Sequence, residues 1–172
     1  DPVALATRDD VDVFVELMGG HEGPAKLATE AALAAGKDVV TANKALLAIH
    51  GQALAEQAEA NGRVIRFEAA VAGGIPVIKS LTESLAGNEI TRVMGVMNGT
   101  CNYILTQMEA TGRGYNALFE ECGQLGYLEA DPLLDVGGID AGHKLALLAS
   151  IAFGTKPAFD DVKLEGSQRI AI

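Results

Sequence analysis

The stretch VDVFVELMGGHEGPAKLATEAALAAGKDVVT, residues 11–41, holds a complete strand–helix–strand unit. Residues 11–16 are rich in β-branched and aromatic side chains and run into Met18-Gly19-Gly20. Residues 24–35 are alanine-rich, open on a proline and close on Gly36, and residues 38–41 form a second short β-rich run. Proline at the first helical position and glycine just past the last punctuate a helix, and a helix between two such runs implies parallel strands. The pattern then repeats: residues 43–60 read as a second helix ended by Asn61-Gly62, with Gly51 its one weak interior point. The expected class is α/β.

Further along, residues 64–71 read as a third strand and 76–85 as a helix begun by proline. Residues 90–97 read as a strand that turns apolar after Arg92. Helices are expected over 100–109 and 115–124, followed by an irregular acidic loop, a helix from Asp140, and a last short segment over 162–165.

Composition narrows the function. The formal charge of −10 excludes nucleic acid and anionic membrane as expected partners, since the average surface repels both. Two cysteines, Cys101 and Cys122, do not make a disulfide framework, and no apolar run is long enough to span a bilayer, so the cytoplasm is the expected compartment. His21, His50 and His143 lack the neighbours that zinc needs, and the acidic loop lacks the ligand alternation of a calcium-binding loop.

The densest chemistry lies in CGQLGYLEADPLLDVGGIDAGHKL, residues 122–145, which gathers Glu129, Asp131, Asp135 and Asp140 and then supplies Lys144. Carboxylates so close repel one another unless a cation sits among them. The spacing predicts one buried stripe of Ala141, Leu145, Leu148, Ala149 and Ala152, with Asp140 and Lys144 one turn apart on its flank. A half-buried lysine beside an aspartate suits proton transfer, and the same spacing also fits an ordinary i,i+4 ion pair.

Gly126-Tyr127, Glu129, Asp131-Pro132, Asp135-Val136, Gly138, Asp140 and Lys144 together resemble the motif of homoserine dehydrogenases. Thr41-Ala42-Asn43-Lys44, Glu68 with Val71-Ala72-Gly73-Gly74-Ile75-Pro76, and Met97-Asn98-Gly99-Thr100 with Asn102-Tyr103-Ile104 resemble the same family in the same order. The likeness runs from about Val11 to Gly166. Cys122 and Leu128 depart from it, standing where the family more often has small residues.

The resemblance implies a Rossmann-type nucleotide domain over 1–63 joined to a substrate and dimerisation domain over 64–172 with a mixed or antiparallel sheet. It implies reversible reduction of L-aspartate 4-semialdehyde to L-homoserine by NADPH or NADH. In that reading Lys144 exchanges the proton at the substrate oxygen and Asp140 orients it. Glu129 and Asp135 hold the amino acid, and Gly99, Thr100 and Tyr127 line its site. Lys44 lies between cofactor and substrate, and Gly19, Gly20 and Gly126 let the dinucleotide approach the backbone. Without the resemblance, Lys44 reads as a surface lysine opening a helix, and Thr100 as a helix cap that can also line a site. Glu68 with the carbonyls of Val71, Gly73 and Ile75 makes an oxygen shell that the family would fill with sodium, although a glycine turn explains the same glycines. A homo-dimer or tetramer is implied as well.

A dinucleotide domain is expected to open with a strand and a glycine-rich turn, and this chain begins downstream of any such turn. The reading is therefore of a core fragment without the N-terminal glycine-rich part of the nucleotide domain. Gly112-Arg113-Gly114-Tyr115-Asn116-Ala117 fits the glycine pattern but follows a helix, so it reads as a helix-to-helix turn. The alternative to an enzyme is a non-catalytic dimerisation or amino-acid-binding fragment unable to hold a dinucleotide.

Overall fold

The computed structural model describes residues 1–128 and 132–170. It forms two compact units, one of residues 1–93 with 146–160, the other of 94–145 with 161–172.

The first unit begins with a short helix α1 (Pro2–Ala6) that the sequence reading missed, capped by Asp1, whose carboxylate accepts from the N–H groups of Val3 and Ala4. Then come β1 (Val13–Glu16), α2 (Pro24–Ala34), β2 (Asp38–Thr41), α3 (Lys44–Ala60) and β3 (Ile65–Arg66). The strands form a parallel sheet in the order β1-β2-β3, with Val13 opposite Asp38 and Val39 opposite Ile65. This confirms the α/β class and the βαβ reading. Along β1 the alternation is strict: Phe14 and Glu16 are buried while Val13 and Val15 are exposed, so one face of the strand is covered. Phe14 and Val39 pack against Ala28, Ala32 and Leu33 of α2 and Leu46 and Leu54 of α3. Each fully buried leucine contributes roughly 1.5–3 kcal/mol.

The third strand is shorter than its expected span over 64–71. Pairing stops at Arg66, and Glu-Ala-Ala, a helix-forming run, starts α4 (Glu68–Val71). After it, α5 (Val77–Lys79) continues as a π-helical turn, Ser80–Ser84.

The second unit is helical. A hairpin of α6 (Gly99–Thr111) and α7 (Tyr115–Gln124) is followed by α8 (Pro132–Val136) and the start of α9 (Ile139–Phe153). Ile104, Met108, Leu118, Cys122 and Val136 form its core. Gly112 ends α6 in the left-handed conformation at φ 69°, so the Gly112–Gly114 stretch is the helix-to-helix turn that the sequence indicated. Two expectations fail here. Residues 90–97 form no strand among the described residues, because a ladder needs a partner and none of those residues supplies one; Met94 and Val96 are 79% and 77% exposed. The buried side of α9 is also rotated. Of the predicted stripe only Leu148 is fully buried, whereas Asp140, His143, Ala146 and Leu147 are. The aspartate thus belongs to the covered face of α9, and polar pairing rather than apolar periodicity puts it there.

Candidate active site

In the second unit, a cleft of about 450 Å³ is lined by Asn98, Thr100, Tyr127, Asp135, Asp140 and Lys144 among others. Its hub is Asn98, the N-cap of α6. The Asn98 Oδ1 accepts from the Cys101 N–H at 2.8 Å, which leaves its amide nitrogen to donate to Asp135 Oδ1 at 2.8 Å and Asp140 Oδ2 at 3.2 Å. One side chain therefore starts the helix and draws two carboxylates together. Gly137 and Gly138 join α8 to α9, and a Cβ at Gly137 would stand 2.6 Å from the Leu133 carbonyl oxygen, so only glycine lets this bend close tightly enough to present both acids.

Lys144 completes the cluster. Its Nζ donates to Asp140 Oδ2 at 2.7 Å and to the Met97 carbonyl at 2.8 Å. The Asp140 side chain is 2% exposed and that of Lys144 20%, so the ion pair is directional: a buried carboxylate holds an ammonium that still reaches the cleft. Two of the three N–H bonds of the ammonium are used among the described residues. The third is available to an oxygen in the cleft.

Tyr127 and Thr100 line the same cleft. The chain leaves α7 through paired bonds from Gly126 N to Gly123 O and Tyr127 N to Cys122 O, a glycine-closed helix end. The Thr100 hydroxyl donates to the Tyr127 carbonyl at 3.0 Å. Gly99 and Thr100 open α6, whose first-turn N–H groups have no partner within the helix and suit a carboxylate. The second unit thus brings together Gly99, Thr100, Tyr127, Asp135, Asp140 and Lys144, with Gly126 in the adjoining turn. Glu129 lies outside the described residues, as does Asp131.

In the first unit a second polar network occupies the C-terminal edge of the parallel sheet, the side on which open α/β sheets bind ligands. The buried Glu16 accepts from Met18 N at 2.6 Å, Gly19 N at 3.2 Å and the Thr41 hydroxyl at 2.7 Å. Thr41 Oγ1 in turn accepts from Asn43 N. The Asn43 side chain caps α3 by accepting from Leu46 N at 3.1 Å and donates to the Gly20 carbonyl at 2.6 Å. Gly19 and Gly20 both adopt φ 78°, and a Cβ at Gly19 would meet nothing within 4 Å, so the loop is pinned from behind and open in front. Lys44 is the first residue of α3 beside this network.

Sequence reasoning missed Glu16 and Asn98 as organisers. The sequence offered Thr100 as the cap of α6, whereas Asn98 is the cap and Thr100 is the second helical residue; Glu16 ends a β-rich run with no neighbour in sequence to mark it as buried. The signal for Asn98 was its company, a cap residue in a chain whose later carboxylates need a donor. Among the candidate cation ligands, both oxygens of Glu68 accept backbone N–H groups, from Ile78 at 2.7 Å and Lys79 at 3.0 Å, and the Ile75 carbonyl accepts from Val77 at 2.8 Å. Among the described residues no group of three or more acidic, histidine or cysteine side chains is placed to hold a metal, and no helix is long and apolar enough to cross a membrane.

Two family models match the chain: homoserine dehydrogenase over residues 76–171, and the homoserine dehydrogenase NAD binding domain over residues 2–68. The homoserine dehydrogenase of Corynebacterium glutamicum is 53% identical over 171 residues, covering 99% of this chain and 38% of that protein. That of Neisseria gonorrhoeae is 48% identical over 170 residues, covering 99% and 39%. The crystal structure of a homoserine dehydrogenase from Thiobacillus denitrificans matches with a TM-score of 0.96 at 44% identity, over 99% of this chain and 39% of that one. A hyperthermophilic archaeal homoserine dehydrogenase mutant in complex with NADPH matches at 0.88 with 32% identity, over 99% and 52%. The chain spans less than two fifths of the length of the two curated relatives.

These matches correct one expectation. The nucleotide domain was read as lacking its N-terminal part, yet the NAD-binding model matches from residue 2 to residue 68, so that domain is present in the chain. The reading failed because it searched for a glycine-rich turn, whereas here the paired strands β1 to β3 and the pinned Gly19-Gly20 loop carry the domain's character. The alternative of a module unable to hold a dinucleotide rested on the same ground and loses that support. With the family model for the catalytic part covering more than half of the chain, the chain belongs to the homoserine dehydrogenase family.

Proposed function

We propose that the protein interconverts L-homoserine and L-aspartate 4-semialdehyde with NADP or NAD as the hydride carrier. The observation that carries this reading is the Lys144 ammonium, fixed at 2.7 Å by buried Asp140 and turned to a cleft that also holds Asp135. In the oxidative direction the amine of Lys144 takes the hydroxyl proton as the alcohol becomes an aldehyde; in the reductive direction the ammonium returns it to the developing alkoxide. Asp140 holds the lysine in place and offsets its charge. Asp135, with Glu129, is assigned to the substrate ammonium, and Gly99, Thr100 and Tyr127 to the remainder of the amino acid. The dinucleotide, when bound, supplies or accepts the hydride. Gly19 and Gly20 fit it through an open, pinned backbone at the sheet edge, and Lys44 and Gly126 are assigned to it as well.

The reading extends to the whole protein. Nucleotide and substrate domains divide near residue 64, supported by family matches that end at 68 and begin at 76. The family reading adds a mixed or antiparallel sheet in the substrate domain and a cytoplasmic homo-dimer or tetramer, and the exposed Met94 and Val96 offer apolar surface to a second copy. Sodium binds at Glu68 with the carbonyls of Val71, Gly73 and Ile75, since each Glu68 oxygen keeps a lone pair beyond its backbone bond. Sodium titration of the Glu68→Ala variant tests this: an unchanged sodium response removes the site.

The test of the activity is direct. The purified full chain, given L-homoserine with NADP or NAD, should generate the absorbance of the reduced nicotinamide. Binding of both homoserine and dinucleotide without turnover would overturn the reaction and leave only a binding protein.

A further inference from the structure

Arg113, Glu121 and Tyr103 form a chain of contacts from the surface into the cleft, and the proposed roles use none of them. Tyr103 stands on α6 one turn beyond Gly99 and lines the cleft. Its phenol donates to Glu121 Oε1 at 2.6 Å, and the other oxygen of Glu121 takes the Arg113 guanidinium at 2.6 Å. Arg113 comes from the Gly112–Gly114 turn, the glycine pattern without a phosphate role. On its inner side the Tyr103 ring meets Tyr127 edge to face, with centroids 5.4 Å apart and planes at 74°. Tyr127 is thus held twice, at its carbonyl by Thr100 and at its ring by Tyr103.

The chemistry of the cleft gives this pair a task. A small amino-acid alcohol has two charged groups and a hydroxyl, joined by methylenes. The polar lining of the cleft answers the ends, and among the described residues that line it the large apolar surfaces are the two tyrosine rings. We propose that Tyr103 is a positioning residue, held by Glu121 and Arg113, that sets the Tyr127 ring against the aliphatic part of the substrate. The phenol is held as a donor to Glu121: that hydrogen bond raises it above the ordinary tyrosine range and lowers Glu121 below the ordinary glutamate range. Tyr103 therefore stays neutral and takes no part in proton transfer, and its contribution is to fit.

This inference rests on the homoserine reading of the cleft, and the experiment separates the two. In the full chain, Tyr103→Phe and Glu121→Gln should each raise the homoserine KM about fivefold with kcat held within about twofold, and the double variant should do no more than either alone. Arg113→Lys should keep most of the wild-type KM, whereas Arg113→Met should not; this exposed turn residue carries little folding risk. A wild-type KM in both single variants, or additive effects in the double variant, would overturn the relay. A wild-type chain that turns nothing over would instead strike the functional reading, and calorimetric titration of homoserine into the same variants then reads the relay alone.

Discussion

Asn43 and Asn98 do the same local job in the two units and serve different chemistry. Each accepts a backbone N–H with its Oδ1 to start a helix, from Leu46 in one case and Cys101 in the other. Each then spends its amide nitrogen on a distant element. Asn43 grips a carbonyl of the Gly19-Gly20 loop, a neutral contact that shapes a backbone surface. Asn98 grips Asp135 and Asp140, a charge-assisted contact that holds two acids near one lysine. A helix cap is a fixed point in a fold. What its spare donor reaches decides whether that point shapes a surface or organises a charge.

The largest expected effect tests whether the charged cluster does chemistry. Lys144→Met should lower kcat on the order of 10³-fold, within the range for a lost acid–base group, while the dinucleotide Kd stays within about twofold. Steady-state kinetics with fluorescence titration of reduced cofactor reads both; turnover within tenfold of wild type would remove Lys144 from the reaction. Asn98→Asp comes next, because it keeps an oxygen for the Cys101 N–H but turns a donor into a third carboxylate beside Asp135 and Asp140. Denaturant unfolding should show a loss of about 2–3 kcal/mol, and kcat/KM should fall by roughly 100-fold. Asn43→Asp makes the same change where the partner is a backbone carbonyl, that of Gly20. There it should cost about 1 kcal/mol, weaken dinucleotide binding and leave the homoserine KM unchanged. Equal losses at the two positions would mean that only capping matters and would dissolve the contrast.

The first of these regions was far more legible in the sequence than the second. β1, α2, β2 and α3 follow from local signals: strand runs, a proline and glycine that bracket α2, and an asparagine that opens α3. β3 was overextended because a helix-forming Glu-Ala-Ala follows it, and α1 went unseen because a five-residue helix has no periodicity to read. The strand expected over 90–97 depends on a partner, and strand pairing is non-local. At the site, the i,i+4 spacing of Asp140 and Lys144 gave the ion pair, confirmed at 2.7 Å. The spacing could not show that Asp140 is buried or that Asn98 binds it, since α6 and α9 meet only in the folded chain. Glu16 was illegible for the same reason: its carboxylate is satisfied by Thr41 from a neighbouring strand.

The smallest effect sharpens the contrast at two surface glutamates. In the first unit Glu22 is held below the ordinary glutamate range, chiefly by its hydrogen bond with His50 and then by Lys26. In the second, Glu121 is held low chiefly by Tyr103 and then by Arg113. A carboxylate whose folded pKa lies below its unfolded value of 4.5 adds stability above that value and loses it as pH falls through the folded pKa. Glu22→Gln and Glu121→Gln should therefore each lower Tm slightly at neutral pH and leave it unchanged at a pH below both pKa values, where the native carboxylate is itself protonated. Thermal unfolding should not tell the two variants apart. Homoserine kinetics should, because Glu121 touches a residue of the cleft and Glu22, among the described residues, pairs with Lys26 and His50, which do not line it: KM rises for Glu121→Gln and stays constant for Glu22→Gln. A KM that moves in both would trace the effect to surface charge, since a net negative chain attracts or repels a charged substrate through its whole field.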